Sequence, residues 1–252
     1  MEDYFMRCNV TLQNQSGGVL FPFNYNHILT SVIYNNLLVA GIDLDFHDSK
    51  DFKFFTFSNI IFSKFELTKN GINSIDGTIN FQISSPDSKL LRKIIDGFIK
   101  NNQITINGND FTMTNIVMLK EPKFTNKMEF RTMSPIVVNS YKQINGELRN
   151  WDLSPDDKNF FPFIERNLIN KYNQFFNEEL SEDSIKVSSN MRNVKKKRVI
   201  VKRNRLQQHY VCYMMDITLE GDPKVIKFAY DCGLSNKNSI GFGMIKVIKN
   251  KK

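Results

Sequence analysis

Residues 78–100 have the sequence TINFQISSPDSKLLRKIIDGFIK, which contains a complete junction between a strand and a helix. A turn at Asp76-Gly77 precedes the stretch, so its first seven residues are predicted to form a strand. Ser85-Pro86-Asp87 is then a strong helix start. Apolar side chains follow at helical spacing, so the helix should bury one face and end at the last residue of the stretch.

The neighbouring segments complete the first half of the chain. We predict strands at 4–13 and 54–57, a helix from Asn24, as its cap, to about Ala40, and a closing strand from residues 103–107 and 111–119, which flank a turn at Asn109-Asp110. The order of elements is therefore β-α-β-β-α-β.

The second half repeats this order. We predict strands at 128–138, 194–203, 209–219 and 240–248, a helix at 159–176, and a short helix at 223–230 that Asp222 can cap. This order defines the ferredoxin-like unit, which the RNA recognition motif shares. We therefore expect an α+β protein of two tandem ferredoxin-like domains, 1–124 and 125–252, because Pro122 and polar residues interrupt both patterns there.

The net positive charge lies entirely in the second half of the 252-residue chain. Residues 1–126 have a net charge of −1, from 11 Lys and Arg against 12 Asp and Glu, whereas residues 127–252 have +9, from 23 against 14. Charge alone is equally consistent with a polyanion partner and with a solvated basic surface.

Cysteine usage and hydropathy indicate the class of protein. Cys8, Cys212 and Cys232 are odd in number and widely spaced, which argues against a disulfide framework and a structural zinc site. No apolar run reaches transmembrane length, and the first ten residues lack the apolar stretch of a signal peptide. We expect a soluble, cytoplasmic protein with no membrane partner.

Residues 192–205 form a basic segment with no acidic residue. Apolar residues 199–201 lie in its middle, so a basic strand or hairpin arm is expected, and contact with phosphate is favoured over a solvated face. Its cations are Arg192, Lys195, Lys196, Lys197, Arg198, Lys202, Arg203 and Arg205.

A glycine-rich segment, GLSNKNSIGFGMIKV, occupies residues 233–247. Its small residues would let backbone N–H groups approach phosphate closely, and Lys237 adds positive charge. However, it lacks the Walker spacing, and it leads into a strand where a dinucleotide-binding motif needs a helix. From the residues alone, a tight turn is the favoured interpretation.

These segments together resemble a known family over nearly the whole chain. Lys237-Asn238-Ser239 and Gly241-Phe242-Gly243-Met244 resemble the glycine-rich signature of the CRISPR repeat-cleaving endoribonucleases, which belong to the repeat-associated mysterious protein superfamily. Ile33-Tyr34-Asn35, residues 53–58, Glu121-Pro122 and Ser134-Pro135-Ile136 also resemble the family, in its order. Ser235 departs from it, because many members have a second glycine there.

The resemblance implies two ferredoxin-like domains and an antiviral activity, the cutting of precursor CRISPR RNA within each repeat. The RNA 2′-hydroxyl attacks the adjacent phosphate and leaves a 2′,3′-cyclic phosphate and a 5′-hydroxyl, with neither metal nor cofactor. CRISPR repeat RNA is the implied partner, and subunits of a CRISPR effector complex are further candidates. Lys237, Asn238 and Ser239 then join the basic segment as RNA-binding residues.

By position, the resemblance assigns the catalytic roles to Tyr34, His47 and Lys53. Histidine titrates near neutral pH and can act as the base, and lysine can neutralise charge on the phosphorane. Tyrosine can orient the phosphate or donate a proton to the leaving oxygen. Without the resemblance, His47 would be an ordinary loop histidine, Tyr34 a partly buried core residue and Lys53 a solvated lysine.

Two alternatives remain beside the nuclease. The chain could be a non-catalytic RNA-binding protein of the same fold, although the three candidate residues favour cleavage. An unrelated tandem RNA-recognition protein is disfavoured, because the stacking motif of that class is absent. The acidic residues Asp43, Asp45, Asp48 and Asp51 lack the calcium-loop pattern, so we expect a solvated loop and no metal site.

Overall fold

The computed structural model describes residues 5–42, 52–203 and 206–248. The elements of the first half are β1 (Arg7–Gln13), β2 (Val19–Phe21), α1 (Asn26–Val39), β3 (Thr56–Phe57), β4 (Ile61–Phe62), β5 (Phe65–Thr68), β6 (Gly71–Ser74), β7 (Thr78–Ser84), α2 (Ser88–Lys100), β8 (Gln103–Ile106) and β9 (Asn109–Met118). Those of the second half are β10 (Lys127–Thr132), β11 (Asn139–Ile144), β12 (Glu147–Asp152), α3 (Phe160–Phe176), β13 (Ile185–Ser188), β14 (Lys195–Arg203), β15 (Leu206–Met214), β16 (Asp216–Gly221), α4 (Pro223–Cys232) and β17 (Ile245–Val247).

The first sheet has the strand order β3-β7-β1-β9-β8, and β4 also pairs with β7. Every pairing is antiparallel, and β1 lies at the centre between β7 and β9. Helices α1 and α2 bury their apolar stripes on this sheet, in a core that includes Ile33, Phe81 and Phe98. The predicted ferredoxin-like arrangement is present.

The second sheet has the order β13-β16-β10-β17, again antiparallel. Helices α3 and α4 pack on it through a separate core that contains Phe130, Leu168 and Phe228. The prediction of two ferredoxin-like units in one α+β chain is thus confirmed, and we keep 1–124 and 125–252 as the proposed division.

One predicted strand and part of another belong outside the second sheet. Strand β14 pairs with β15 over nine residues in a separate hairpin, and the sheet instead takes its strands from β13 and β16. The predicted strand 209–219 is divided at Met215, where the chain leaves the hairpin and enters the sheet. The Met215 carbonyl accepts a hydrogen bond from the Thr132 N–H, and the Met215 N–H donates to the Thr132 hydroxyl. Tight pairing within the basic hairpin therefore removes it from the sheet, and the short alternating pattern at 185–188 indicates the strand that takes its place.

Several local predictions also need correction. The predicted strand 128–138 ends at Thr132, the predicted strand 240–248 shortens to β17, and the β5–β6 and β11–β12 hairpins were not predicted. The turn between β8 and β9 falls at Asn107-Gly108, because both residues adopt positive φ (51° and 76°), as a two-residue hairpin turn requires. Asn24 does not cap α1, since its Oδ1 accepts a hydrogen bond from the Ile200 backbone at 3.0 Å.

The helix start at Ser85-Pro86-Asp87 and the cap at Asp222 were predicted correctly. Oδ1 of Asp87 accepts hydrogen bonds from the Lys89 and Leu90 backbones at 2.9 and 3.1 Å, and Asp222 caps α4 through Lys224 at 2.8 Å. Within the described ranges, no helix combines the length and the apolar character needed to cross a membrane.

Helices α1 and α2 approach each other at Gly97. A Cβ atom there would lie 2.0 Å from the carbonyl oxygen of Asn36, so only glycine fits. Gly97→Ala should therefore lower the free energy of unfolding by about 1–3 kcal/mol, the usual cost of overpacking, even though alanine favours helices. Urea unfolding midpoints measure the effect.

The matched control is Arg92→Ala, at an exposed position of the same helix, which should change stability by less than about 0.5 kcal/mol. A Gly97→Ala protein as stable as the parent would contradict the close approach.

Candidate active site and nucleic-acid interface

Two of the three predicted catalytic residues lie on neighbouring elements. Tyr34 is half-buried on α1, and its ring packs edge-on against Phe55, with centroids 5.7 Å apart. Lys53 is half-buried in the segment that leads into β3, and its carbonyl accepts a hydrogen bond from the Phe55 backbone at 2.7 Å. Phe55 therefore links the two residues. His47 lies outside the described residues.

The glycine-rich segment 233–247 docks on this same region of the first half. The Thr56 hydroxyl donates to the Phe242 carbonyl at 3.0 Å, and Nδ2 of Asn26 donates to the Gly241 carbonyl at 3.1 Å. A Cβ at Gly241, where φ is +85°, would lie 2.5 Å from the Phe57 ring. Glycine is required here for backbone packing between the two halves.

A buried lysine that sequence reasoning missed organises the segment. Nζ of Lys171, on α3, donates to the carbonyls of Gly233 and Ser235 at 3.2 and 3.0 Å and to Oδ1 of Asn238 at 3.0 Å. Burial lowers the pKa of Lys171, and the three oxygen partners compensate for the lost hydration. Its helical spacing of three from Leu168 was the available signal.

The predicted RNA-binding residues of the glycine-rich segment differ in accessibility. Lys237 is exposed and Ser239 is half-buried. Asn238 is buried, and its Nδ2 also donates to the Cys232 carbonyl at 2.5 Å. Asn238 thus has a structural part in the segment, and its contact with RNA stays a prediction.

Ser235, where the segment departs from the family pattern, is accommodated by a pair of hydrogen bonds. Its hydroxyl accepts from the Val137 N–H at 3.1 Å and donates to the Val137 carbonyl at 2.9 Å. The serine therefore connects the glycine-rich segment to the chain that precedes β11.

A second buried cation, Arg7, connects the two halves. The Arg7 guanidinium of β1 donates to the carbonyls of Ile245 and Tyr230, at 2.8 and 2.5 Å, and lies 3.6 Å above the Tyr230 ring centroid. Burial raises the pKa of the neighbouring Asp231 to about 6, against the opposing effect of Lys227 and Arg7. Lys227 also forms an ion pair with Glu121.

The basic hairpin β14–β15 presents cations on two faces. Lys195 and Lys197 line a cavity of about 360 Å³ together with Arg131 and Asp216. Lys196 and Arg198 project from the opposite face, because successive side chains of a strand alternate. All four are exposed, as their predicted contact with RNA requires. Of the other predicted cations, Lys202 and Arg203 belong to β14, and Arg205 lies outside the described residues.

A second cavity, of about 470 Å³, adjoins the segment that carries Lys53. Phe52 lines one side, Lys237 and Asn236 of the glycine-rich segment line another, and His209 comes from the basic hairpin. This cavity brings together segments that the sequence separates by more than 150 residues. Within the described ranges, no three histidine, cysteine or acidic side chains come together as a potential metal site.

Comparisons with known proteins agree across the chain. Residues 20–117 match the family model of the CRISPR-associated protein Cas6, N-terminal, and residues 119–247 match that of the CRISPR associated protein Cas6, C-terminal. The chain is 30% identical over 248 residues to the CRISPR-associated endoribonuclease Cas6 1 of Methanocaldococcus jannaschii, an alignment that covers 98% of this chain and 94% of that protein.

Solved structures agree as well. The fold is similar to that of a Cas6-related gene product from Pyrococcus furiosus, with a TM-score of 0.87 and 27% identity over 98% of this chain and 99% of the other. It is also similar to an RAMP protein binding different RNA substrates, with a TM-score of 0.84 and 27% identity over 97% of this chain and 100% of the other. The matches span both halves and nearly the full length, as the sequence resemblance predicted, and the chain therefore belongs to the CRISPR-associated Cas6 family.

Proposed function

We propose that this protein is a metal-independent endoribonuclease that cuts precursor CRISPR RNA within its repeats. The observation that carries the proposal is the contact of Tyr34 with Phe55, two residues from Lys53, beside the docked glycine-rich segment. A relative at 30% identity is a CRISPR-associated endoribonuclease, which supports the same activity here.

In the proposed reaction, His47 removes the proton from the 2′-hydroxyl, whose oxygen attacks the adjacent phosphorus. The bond from phosphorus to O2′ forms as the bond to O5′ breaks, which yields a 2′,3′-cyclic phosphate and a 5′-hydroxyl. Lys53 neutralises the additional charge of the phosphorane, and Tyr34 orients the phosphate or protonates the leaving oxygen.

RNA binding is assigned to the basic second half. Phosphates would contact the exposed lysines and arginine of β14 and the exposed Lys237, and the remaining candidates are Asn238, Ser239, Lys202, Arg203 and Arg205. CRISPR repeat RNA is the proposed partner, and effector-complex subunits are further candidates. RNA binding without cleavage is the second candidate function, because one similar structure is described as an RAMP protein binding different RNA substrates. The three catalytic candidates favour cleavage.

The chemistry can be tested with labelled repeat RNA in excess EDTA. Cleavage should proceed and leave a cyclic phosphate, since the nucleophile belongs to the RNA itself. RNA with a 2′-deoxy sugar at the cut site should bind normally and resist cleavage. Efficient cutting of the deoxy substrate would exclude the mechanism.

The roles can be tested by single-turnover kinetics at saturating RNA. His47→Ala should slow cleavage by roughly 100-fold or more, the usual scale for the loss of a general base. Lys53→Ala should also slow cleavage, and Tyr34→Phe should slow it less. His27→Ala and His209→Ala are the controls and should change the chemical step little. Loss of cutting in His27→Ala but not in His47→Ala would contradict the assignment.

Binding should be separable from chemistry through the basic hairpin. Each phosphate contact contributes about 0.7 to the log–log salt slope for single-stranded RNA. Replacement of all four exposed cations by glutamine should make the slope shallower by up to about 3. The four are Lys195, Lys196, Lys197 and Arg198. Replacement of one same-face pair alone, Lys195 with Lys197 or Lys196 with Arg198, should make it shallower by about 1.4. Titration of uncleavable RNA at several salt concentrations gives the slopes.

The control carries glutamine at Lys89 and Lys100, exposed residues of α2, and should keep the parental slope. At saturating RNA, the hairpin variant should cleave at a nearly normal rate. An unchanged slope in this variant would make the hairpin a solvated face and no RNA contact.

A further inference from the structure

The 470 Å³ cavity has the size and composition of a site for a small polar organic group. Its volume falls in the range of about 300–1,000 Å³ that is usual for ligand pockets. Five side-chain carboxamides contribute to its lining, from β11, β12, α3, β15 and the glycine-rich segment: Asn139, Asn150, Asn167, Gln208 and Asn236. Carboxamides can pair bidentately with the edge of a nucleobase, as Asn and Gln do with adenine.

Two of these carboxamides have an unused acceptor. The buried side-chain oxygens of Asn139 and Asn167 have no hydrogen-bond partner among the described residues. The orientation of Asn139 is fixed, because its Nδ2 donates to Oδ1 of Asp152 at 2.5 Å, and Oδ2 of Asp152 accepts from the Val211 N–H at 2.6 Å. These two acceptors are therefore unpaired, and a ligand that supplies hydrogen-bond donors to them is favoured.

An aromatic ring stands at the same cavity. Tyr141 on β11 lines it, although 72% of the residue is exposed. Tyr141 pairs across the hairpin with Asn150, and Asn139 pairs with Asp152, so these four residues share one face. Trp151 lies on the opposite face, where the Lys142 ammonium is 4.7 Å from its ring centroid.

We propose that this cavity binds one unpaired base of the repeat RNA and is a specificity-determining subsite. Tyr141 stacks on the base, the exocyclic amino group donates to the unused amide oxygens, and the exposed Lys237 contacts an adjacent phosphate. The exocyclic amino group of adenine, cytosine or guanine has two N–H donors, one for each unused oxygen, whereas uracil has a single N–H, so the pocket favours the amino-bearing bases. The inference rests on the proposed RNA substrate and adds a subsite beside the segment that carries Lys53.

The test is a binding cycle with uncleavable repeat RNAs that each contain one abasic position. With the parent protein, one position should cost about tenfold or more in affinity, the scale of a lost base stack. Tyr141→Ala should bind intact RNA about tenfold more weakly, and the same abasic position should then have little further effect, because both changes remove one contact. Tyr141 is exposed, so the variant should fold normally.

The matched control is Trp151→Ala, an exposed aromatic on the other face of the same hairpin, which should keep the full abasic effect. Asn167→Ala should reduce the preference of that position for amino-bearing bases over uracil. The proposal would be overturned if Tyr141→Ala and each abasic substitution weakened binding additively. It would also be overturned if Trp151→Ala removed the abasic effect as fully as Tyr141→Ala does.

The cycle is measured by affinity alone, and cleavage by the parent protein is measured separately on all-ribose RNA. Parent protein that binds with the predicted coupling but does not cut would contradict the proposed nuclease and leave the base subsite intact. Parent protein that cuts RNA but shows no coupling between Tyr141→Ala and the abasic position would support the nuclease and contradict the base subsite.

Discussion

The carbonyls of Gly241 and Phe242 accept hydrogen bonds from the Asn26 and Thr56 side chains, and the candidate site depends on this contact between the two halves. It brings the glycine-rich segment against β3 and the start of α1, the elements next to Lys53 and Tyr34. Any side chain at Gly241 would collide with the Phe57 ring. The glycines thus act here through close packing between the halves, whereas a phosphate-binding loop would use them to approach a ligand.

Two buried cations also stabilise this arrangement, one within the second half and one between the halves. Lys171 donates to three oxygens of the glycine-rich segment, and Arg7 crosses from β1 to the carbonyls of Tyr230 and Ile245. A buried charge is tolerated only when its hydrogen-bonding groups are satisfied, so both side chains constrain where the backbone can run. The site is consequently held by polar contacts with defined geometry as well as by the apolar cores.

Local signals were predicted best from the sequence, although the Asn24 cap and the Asn109-Asp110 turn were wrong. Asp87 and Asp222 cap helices because the cap needs only the next few residues, and the helical stripes were equally visible. Strand partners are not local, so the basic hairpin was assigned to a sheet that β13 and β16 complete. At the site, the family resemblance supplied Tyr34, His47 and Lys53, whereas the parts of Lys171 and Asn238 depend on packing between distant segments and could not be predicted.

The docking of the glycine-rich segment also limits how such a chain can be recombined. The two halves share one architecture, yet the donors Asn26 and Thr56 belong to one half and their acceptors to the other. A chimera that joins the first half of this protein to the second half of a distant relative would preserve each sheet and lose the matched surface between them. The two ferredoxin-like units must therefore be inherited together, and substitutions at Phe57 and Gly241 are expected to covary.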